Sequence, residues 1–237
     1  LSVIRATCTR PAPPVAAAVV LAVALFLPTA PGASLPGPGP RPAAAQEASD
    51  RAAPVEGGVV RVGLLLRQMD GVKRVLVVGA HPDDEDTALL SELDRHRGAR
   101  AAYVSLTRGE GGQNLIGPEL GKGLGLIRTG ELLAARELDG AEQFFSRAYD
   151  FGYSKTAEET FRHWPRDTLL SDVVWVLRTF RPQVVVSVFS GTPADGHGQH
   201  EVAGLLIREA FRAAADSTRF PEHLRWGAEP WRVRKMY

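Results

Sequence analysis

A very apolar run, Arg74-Val75-Leu76-Val77-Val78-Gly79, leads straight into Ala80-His81-Pro82-Asp83-Asp84-Glu85. The run reads as a short, fully buried strand. An imidazole and three carboxylates within five residues at its C-terminal end repel one another unless a proton or cation neutralises them. In open α/β sheets, that end of the strands is where ligands bind. A divalent metal is the simplest neutraliser. The plain alternative is a polar strand-to-helix turn with Asp83 or Asp84 as the helix N-cap.

The same layout recurs downstream. Gln183 to Phe189 is a second buried-strand pattern, and it runs into Ser190-Gly191-Thr192-Pro193-Ala194-Asp195-Gly196-His197-Gly198-Gln199-His200-Glu201. His197 and His200, three apart on a helical first turn, share one face and form a metal or catalytic pair. Between these motifs, strands are expected at about 73–79, 101–106, 142–145 and 183–189. They alternate with helices at about 85–97, 126–139, 166–180 and 198–215, after a leading helix over 59–69. This alternation predicts an α/β fold, a Rossmann-like parallel sheet with helices on both faces, its site at the C-terminal ends of the strands. The glycine-rich segment after strand two carries neither a dinucleotide fingerprint nor a phosphate-loop lysine. Residues 146–165 read as a long aromatic loop. Arg232 to Tyr237 reads as a strand cut short, as in the first part of a longer polypeptide with further C-terminal domains.

The AHPDDE run, the Thr107-Arg108-Gly109-Glu110 segment and the closing HGQH together resemble the PIG-L/LmbE-like metal-dependent deacetylases over roughly residues 72–215. Leu106 to Ala148 is similar to the first domain of large secreted members. The resemblance implies hydrolysis of an N-acetyl group on an N-acetylglucosamine-type sugar or glycoconjugate. It implies His81, Asp84 and His200 as metal ligands, Asp83 as general base, and His197 as the group that stabilises the oxyanion or protonates the amine. Two imidazoles and one carboxylate suit Zn²⁺ and also Fe²⁺. Arg108, Glu110 and Asp195 are weaker candidates for substrate contact, and Asp195 could instead close a turn. Glu85 reads either as a partner orienting a ligand histidine or as a first-turn acid. Arg128 and Glu131 read as an ordinary i, i+3 ion pair.

Residues 1–45 read as a signal peptide: Arg5 and Arg10, then thirteen apolar residues from Val15 to Leu27, then a small-x-small site at Ala43–Ala45. The run is too short to span a membrane, so no stable insertion is expected after cleavage. Residues 46–58 read as a flexible linker, 59–237 as the deacetylase domain, and residues up to about 55 are expected to pack against nothing. A secreted or periplasmic location follows, which weakens any role in cytosolic thiol-cofactor synthesis. The chain has 28 basic and 27 acidic side chains. Losing Arg5, Arg10 and Arg41 leaves an acidic excess of two, which removes the main driving term for nucleic-acid binding. Cys8, the single cysteine, lies in the leader, so a metal site must use His, Asp and Glu.

Three other functions stay open on the residues alone. One is a metal-dependent amidase or esterase acting on a non-sugar acyl group, another a non-catalytic carbohydrate-binding domain of the same fold. A nucleotide-binding protein is disfavoured by the missing fingerprint. Phe144, Phe145, Tyr149, Phe151, Tyr153, Phe161 and Trp164 read as core, with a sugar-stacking wall as the alternative.

Overall fold

Val75 to Val78 are apolar on both sides of the pleat, so this strand is stable only between two helical layers. The computed structural model describes residues 4–6 (backbone only), 58–70, 73–112, 114 and 117–237, and it has this arrangement. Six strands form one sheet: β1 (Ile4–Ala6), β2 (Arg74–Gly79), β3 (Arg100–Ser105), β4 (Glu142–Phe145), β5 (Val184–Ser187) and β6 (Lys235–Met236), in the order β1-β4-β3-β2-β5-β6. The strands β2 to β6 are mutually parallel, with Val75 opposite both Ala101 and Val184. The order reverses at β2, where successive crossovers leave to opposite sides, and the crevice between the loops after β2 and β5 opens there.

The helices are α1 (Gly58–Met69), α2 (Thr87–Ser91), α3 (Gly121–Asp139), α4 (Ala157–His163), α5 (Arg166–Phe180), α6 (Gly198–Ala213) and α7 (Pro221–Arg225). Leu76, Val78, Ala102 and Val104 face α5 and α6 through Leu170, Val173, Leu177, Val202 and Leu206. On the opposite face Val77, Ala101, Tyr103 and Phe145 meet Leu90 of α2 and Leu132 of α3. The strand's period of two thus sorts its residues into two cores.

Several boundaries differ from the sequence reading. The helix expected over 85–97 is a single turn, α2, that widens into a π turn over Glu92–His96. Helix α3 begins five residues before the expected Leu126, at Gly121, and ends at Gly140, whose φ of 87° only glycine takes readily. The expected loop 146–165 contains α4, capped by Thr156, whose hydroxyl accepts from Glu159 N at 3.2 Å. The strand expected to reach residue 189 stops at Ser187, whose hydroxyl donates to Phe189 O and turns the chain.

Residues up to about 55 were expected to pack against nothing, yet Ile4–Ala6 pairs antiparallel with Gln143–Phe145. The physical reason is the open edge of β4, a row of unpaired N–H and C=O groups that any short extended segment can satisfy. The rest of the leader and linker expectation, over residues 1–3 and 7–57, lies outside the described residues. Among the described residues no helix is long and apolar enough to cross a membrane.

Candidate metal and catalytic site

The loop after β2 is shaped by its own polar groups. Asp86 caps α2, its carboxylate accepting from Leu89 N at 2.9 Å. The capping role considered for Asp83 or Asp84 is therefore filled by a later residue. Asp84 folds back instead: Oδ2 accepts from Ala80 N at 2.8 Å and His81 N at 2.7 Å. Tyr103 Oη donates to His81 O at 2.5 Å and Thr107 Oγ1 to Ala80 O at 2.9 Å, tying the loop to β3. That tyrosine passes close over Gly79, where a Cβ would meet its hydroxyl.

The loop after β5 is built the same way. Asp195 accepts from Ser190 N, Gly191 N and Thr192 N, which closes the turn before α6. His197 is the N-cap of α6, its Nδ1 accepting from Gln199 N at 3.1 Å. One turn on, His200 stacks on Phe189 with ring centroids 3.9 Å apart and 9° between the planes.

These two loops bring His81, Asp84 and His200 together, with one ligand atom from each lying within 4.8 Å of the others. His81 Nε2 is 2.8 Å from Gln199 Oε1, and Gln199 Nε2 donates to Gly152 O at 2.7 Å. The amide oxygen must accept from His81, so the proton sits on Nε2 and Nδ1 carries a lone pair. His200 Nδ1 is held 3.4 Å from Asp195 O, a carbonyl that can only accept, which leaves its Nε2 with a lone pair. Those two lone pairs face each other at 3.2 Å, and Asp84 oxygens lie 3.5 Å from His81 Nδ1 and 3.6 Å from His200 Nε2. Two nitrogen lone pairs and a carboxylate aimed at one small volume repel unless a cation or proton lies among them. The donor set therefore fits a divalent metal such as zinc. Burial opposes charge on His81, but the Asp84 bond, Asp84 and Asp150 together outweigh it and raise its pKa. Burial likewise works to raise the Asp84 pKa, and the bond and charge of His81 reverse it, holding the carboxylate ionised.

The group opens into a cavity of about 570 Å³ lined by Asp83, Gly112, Arg128, Asp150, Tyr153 and His197 as well as the three residues themselves. His197 is drawn into the cluster, 4.8 Å from the His200 ring and 5.0 Å from Tyr153. Burial first, then the neighbouring His81 and His200, lowers its pKa to about 4. It is thus a neutral imidazole at ordinary pH, with Nδ1 accepting and the proton on Nε2. Asp83 is not part of the three-residue group; its carboxylate meets Arg128 at 2.9 Å.

Arg128 departs from the expected pairing with Glu131. Its guanidinium reaches Asp83, Pro82 O at 2.6 Å and Gly112 O at 3.2 Å, joining the two glycine- and proline-containing loops to α3. Arg108, Glu110 and Asp195, the candidates for substrate contact, are not among the residues that line this cavity. Arg108 lies over the Phe145 ring and bonds Thr129, Glu110 accepts from Arg108 N and Asp150 N, and the Asp195 carboxylate is spent on its own turn. Glu85 takes neither expected role: it pairs with Arg136 at 3.3 Å in a buried group with Asp139. Of the aromatics, Phe144, Phe145 and Trp164 are core, whereas Tyr153 stands at the cavity wall. Sequence reasoning missed Asp150 and Gln199. Gln199 lies inside the HGQH motif, between the two histidines that drew attention; Asp150 lies in an irregular segment without any periodic signal.

With this geometry in hand, comparisons place the chain among known proteins. The family model described as PIG-L: GlcNAc-PI de-N-acetylase matches residues 76–211. A 1D-myo-inositol 2-acetamido-2-deoxy-alpha-D-glucopyranoside deacetylase of Thermobispora bispora is 33% identical over 183 residues, covering 70% of this chain and 58% of that protein. The enzyme of the same description from Kineococcus radiotolerans is 34% identical over 197 residues, 73% of this chain and 53% of its own. The chain thus spans little more than half the length of either relative. Among solved structures, the N,N'-diacetylchitobiose deacetylase of Pyrococcus horikoshii matches with a TM-score of 0.54 at 20% identity, over 79% of this chain and 66% of that one. The 4-carboxy-2-hydroxymuconate hydratase GalB of Pseudomonas putida matches with a TM-score of 0.52 at 23% identity, over 70% and 64%. A deacetylase and a hydratase on one scaffold show that this likeness speaks to fold alone. Since the family model covers more than half of the sequence, the chain belongs to the PIG-L family.

Proposed function

We propose that the protein hydrolyses the N-acetyl group of an N-acetylglucosamine-type sugar or glycoconjugate, releasing acetate, with a divalent metal, zinc, held by His81 Nδ1, Asp84 and His200 Nε2. One observation carries this reading: two imidazole lone pairs and a carboxylate converge beside an unligated Asp83, at the floor of an open cavity. The deacetylases among the relatives support the reaction class and the sugar.

A metal bound there would polarise the acetyl carbonyl and acidify a water molecule. The chain's own groups supply the rest. Asp83, beside the ligands and not among them, takes the proton of the attacking water as general base. Arg128 fixes the direction of that carboxylate through their 2.9 Å contact. His197, neutral with its proton on Nε2, donates a hydrogen bond to the carbonyl oxygen as negative charge develops there, and the α6 N-terminus adds positive potential at the same place. Tyr153 offers a ring for the sugar to stack on. We infer also that residues 1–45 act as a signal peptide, whose removal takes β1 from the edge of β4 and leaves the five parallel strands, and that the mature protein works outside the cytoplasm.

Metal analysis of the purified protein, combined with acetate release over a panel of N-acetylated amino sugars with and without a chelator, tests the reading. Acetate release that tracks bound zinc is expected. A fully metal-loaded protein that releases no acetate from any N-acetylated sugar overturns it. A new N-terminus near Gln46 in secreted material is the expected outcome for the leader.

A further inference from the structure

Helix α1 turns its apolar side away from the body of the protein. At 100° per residue, Leu65, Met69, Val62, Leu66 and Val59 fall on one continuous arc of roughly 120°. Val59 is 84% exposed, Leu66 61% and Met69 80%, whereas Leu64, on the opposite side, is 8% exposed and faces the domain. Arg67 fastens the helix by donating to His96 O at 2.7 Å. A run of large apolar side chains on one 12-residue helix is far from the scattered singles of an ordinary surface. Arg61 borders the apolar arc on one side and Arg67, beyond Gly63, is the next side chain on the other; α1 contains no acidic residue, and the exposed Asp70 just past its end is paired with Lys73.

We propose that α1 is an interfacial helix that lies flat on an anionic lipid surface, with its apolar arc in the acyl boundary and Arg61 and Arg67 at headgroup level. Charge decides between this occupant and a second copy of the chain. Two copies packed arc to arc would bring arginine borders together with no acid on either helix to pair with them. A negative headgroup plane is complementary to both borders at once, and arginine stems bury along the apolar side while their heads stay wet. Lys73 and Arg97 nearby are paired with Asp70 and Glu92, and Asp94, the acid that Arg61 acts on, is the buried residue of the π turn. The positive excess therefore lies on α1 itself. The helix is too short to span a bilayer and lies on it instead. None of its residues lines the metal cavity, so the inference stands apart from the proposed function.

The test is sedimentation of the full chain with vesicles of phosphatidylglycerol and phosphatidylcholine, or of phosphatidylcholine alone, alongside the double variant Val62→Glu/Leu66→Glu. The unaltered chain should sediment with the anionic vesicles, less so as salt rises. The double variant should lose partitioning by on the order of a hundredfold, because two aliphatic anchors go and two negative charges arrive. Its circular dichroism and its metal content should be unchanged, since both side chains face solvent. Equal sedimentation of both chains would overturn the proposal, and would point to another segment such as Val15 to Leu27. So would a chain that ignores anionic vesicles, or one whose double variant changes only from dimer to monomer.

Discussion

Gln199 Oε1 accepts from His81 Nε2 at 2.8 Å, and this one bond decides which nitrogen of His81 is free to bind a metal. Gln199 is locked in turn, because its amide nitrogen donates to Gly152 O and Asp150 Oδ1. The amide cannot flip without facing a donor with a donor. A residue from α6 thereby sets the tautomer of a residue in the loop after β2, 118 positions earlier.

Replacing Gln199 by Leu should leave the fold intact and weaken metal binding by about 10–100-fold, the usual cost of losing a partner that orients a ligand histidine. Gln199→Glu should bind metal at least as well, because a carboxylate also accepts from Nε2 and makes the imidazole more basic. Competition against a chromogenic zinc chelator measures both. Unchanged affinity in the Leu variant would mean that His81 does not need this bond.

Asp83 and Asp84 are adjacent, yet Asp84 folds back onto the Ala80 and His81 amides while Asp83 points to Arg128. Asp83→Asn should keep metal stoichiometry and lose roughly 10²–10⁴ in acetate release. His200→Ala should lose the metal itself. If Asp83→Asn empties the site while Asp84→Asn keeps it filled, the two roles are reversed.

The sheet and the convergence of His81, Asp84 and His200 were legible because each rests on short-range pattern. Apolar runs such as Val75–Val78 and Val184–Val186 can only be central strands, and polar residues immediately after parallel strands fall at one end of the sheet. The supporting residues were not legible, since their partners lie far off in sequence. Arg128 has a carboxylate three residues away, and nothing local says that it reaches Asp83, 45 residues before it, instead. Arg108 and Glu110 follow a strand as the site residues do, but Arg108 is captured by the Phe145 ring and Glu110 by loop amides. Helix α4 was missed because its seven residues are too few to show a period.

Arg178 is fully buried on α5 and meets no carboxylate; it donates to the backbone carbonyls of Ala213, Ala214, Asp216, Arg219 and Phe220. It is the cap that the C-terminal end of α6 and the following turn lack of their own. Arg178→Met would strand several buried carbonyls, each costing ~1–3 kcal/mol, so a loss of about 3–5 kcal/mol is expected after partial relaxation. Denaturant unfolding measures the total, and hydrogen exchange should localise the loosening to residues 213–223. A variant within about 0.5 kcal/mol of the parent would show that the turn holds itself.

Asp94 supplies a pH signature remote from His81, Asp84 and His200. Burial first, with Asp139 adding to it, raises its pKa from 3.8 to about 6, against the pull of Arg95 and Arg61 and a hydrogen bond from Ala101. The folded protein thus holds this proton more tightly than the unfolded chain does. An acid shifted upward costs stability once both states have ionised, and that cost disappears as pH falls through about 6 towards about 4. Asp94→Asn stays neutral throughout and can still accept from the Ala101 amide. The variant should therefore be more stable than the parent at about pH 7.5, and the difference should shrink by about pH 4.5, where the parent is protonated. Melting temperatures of the two proteins at both pH values measure this, with the other carboxylates cancelling in the comparison. A difference that is the same at both pH values, or that grows on acidification, would show that Asp94 stays ionised in its pocket with Arg95 as its true partner.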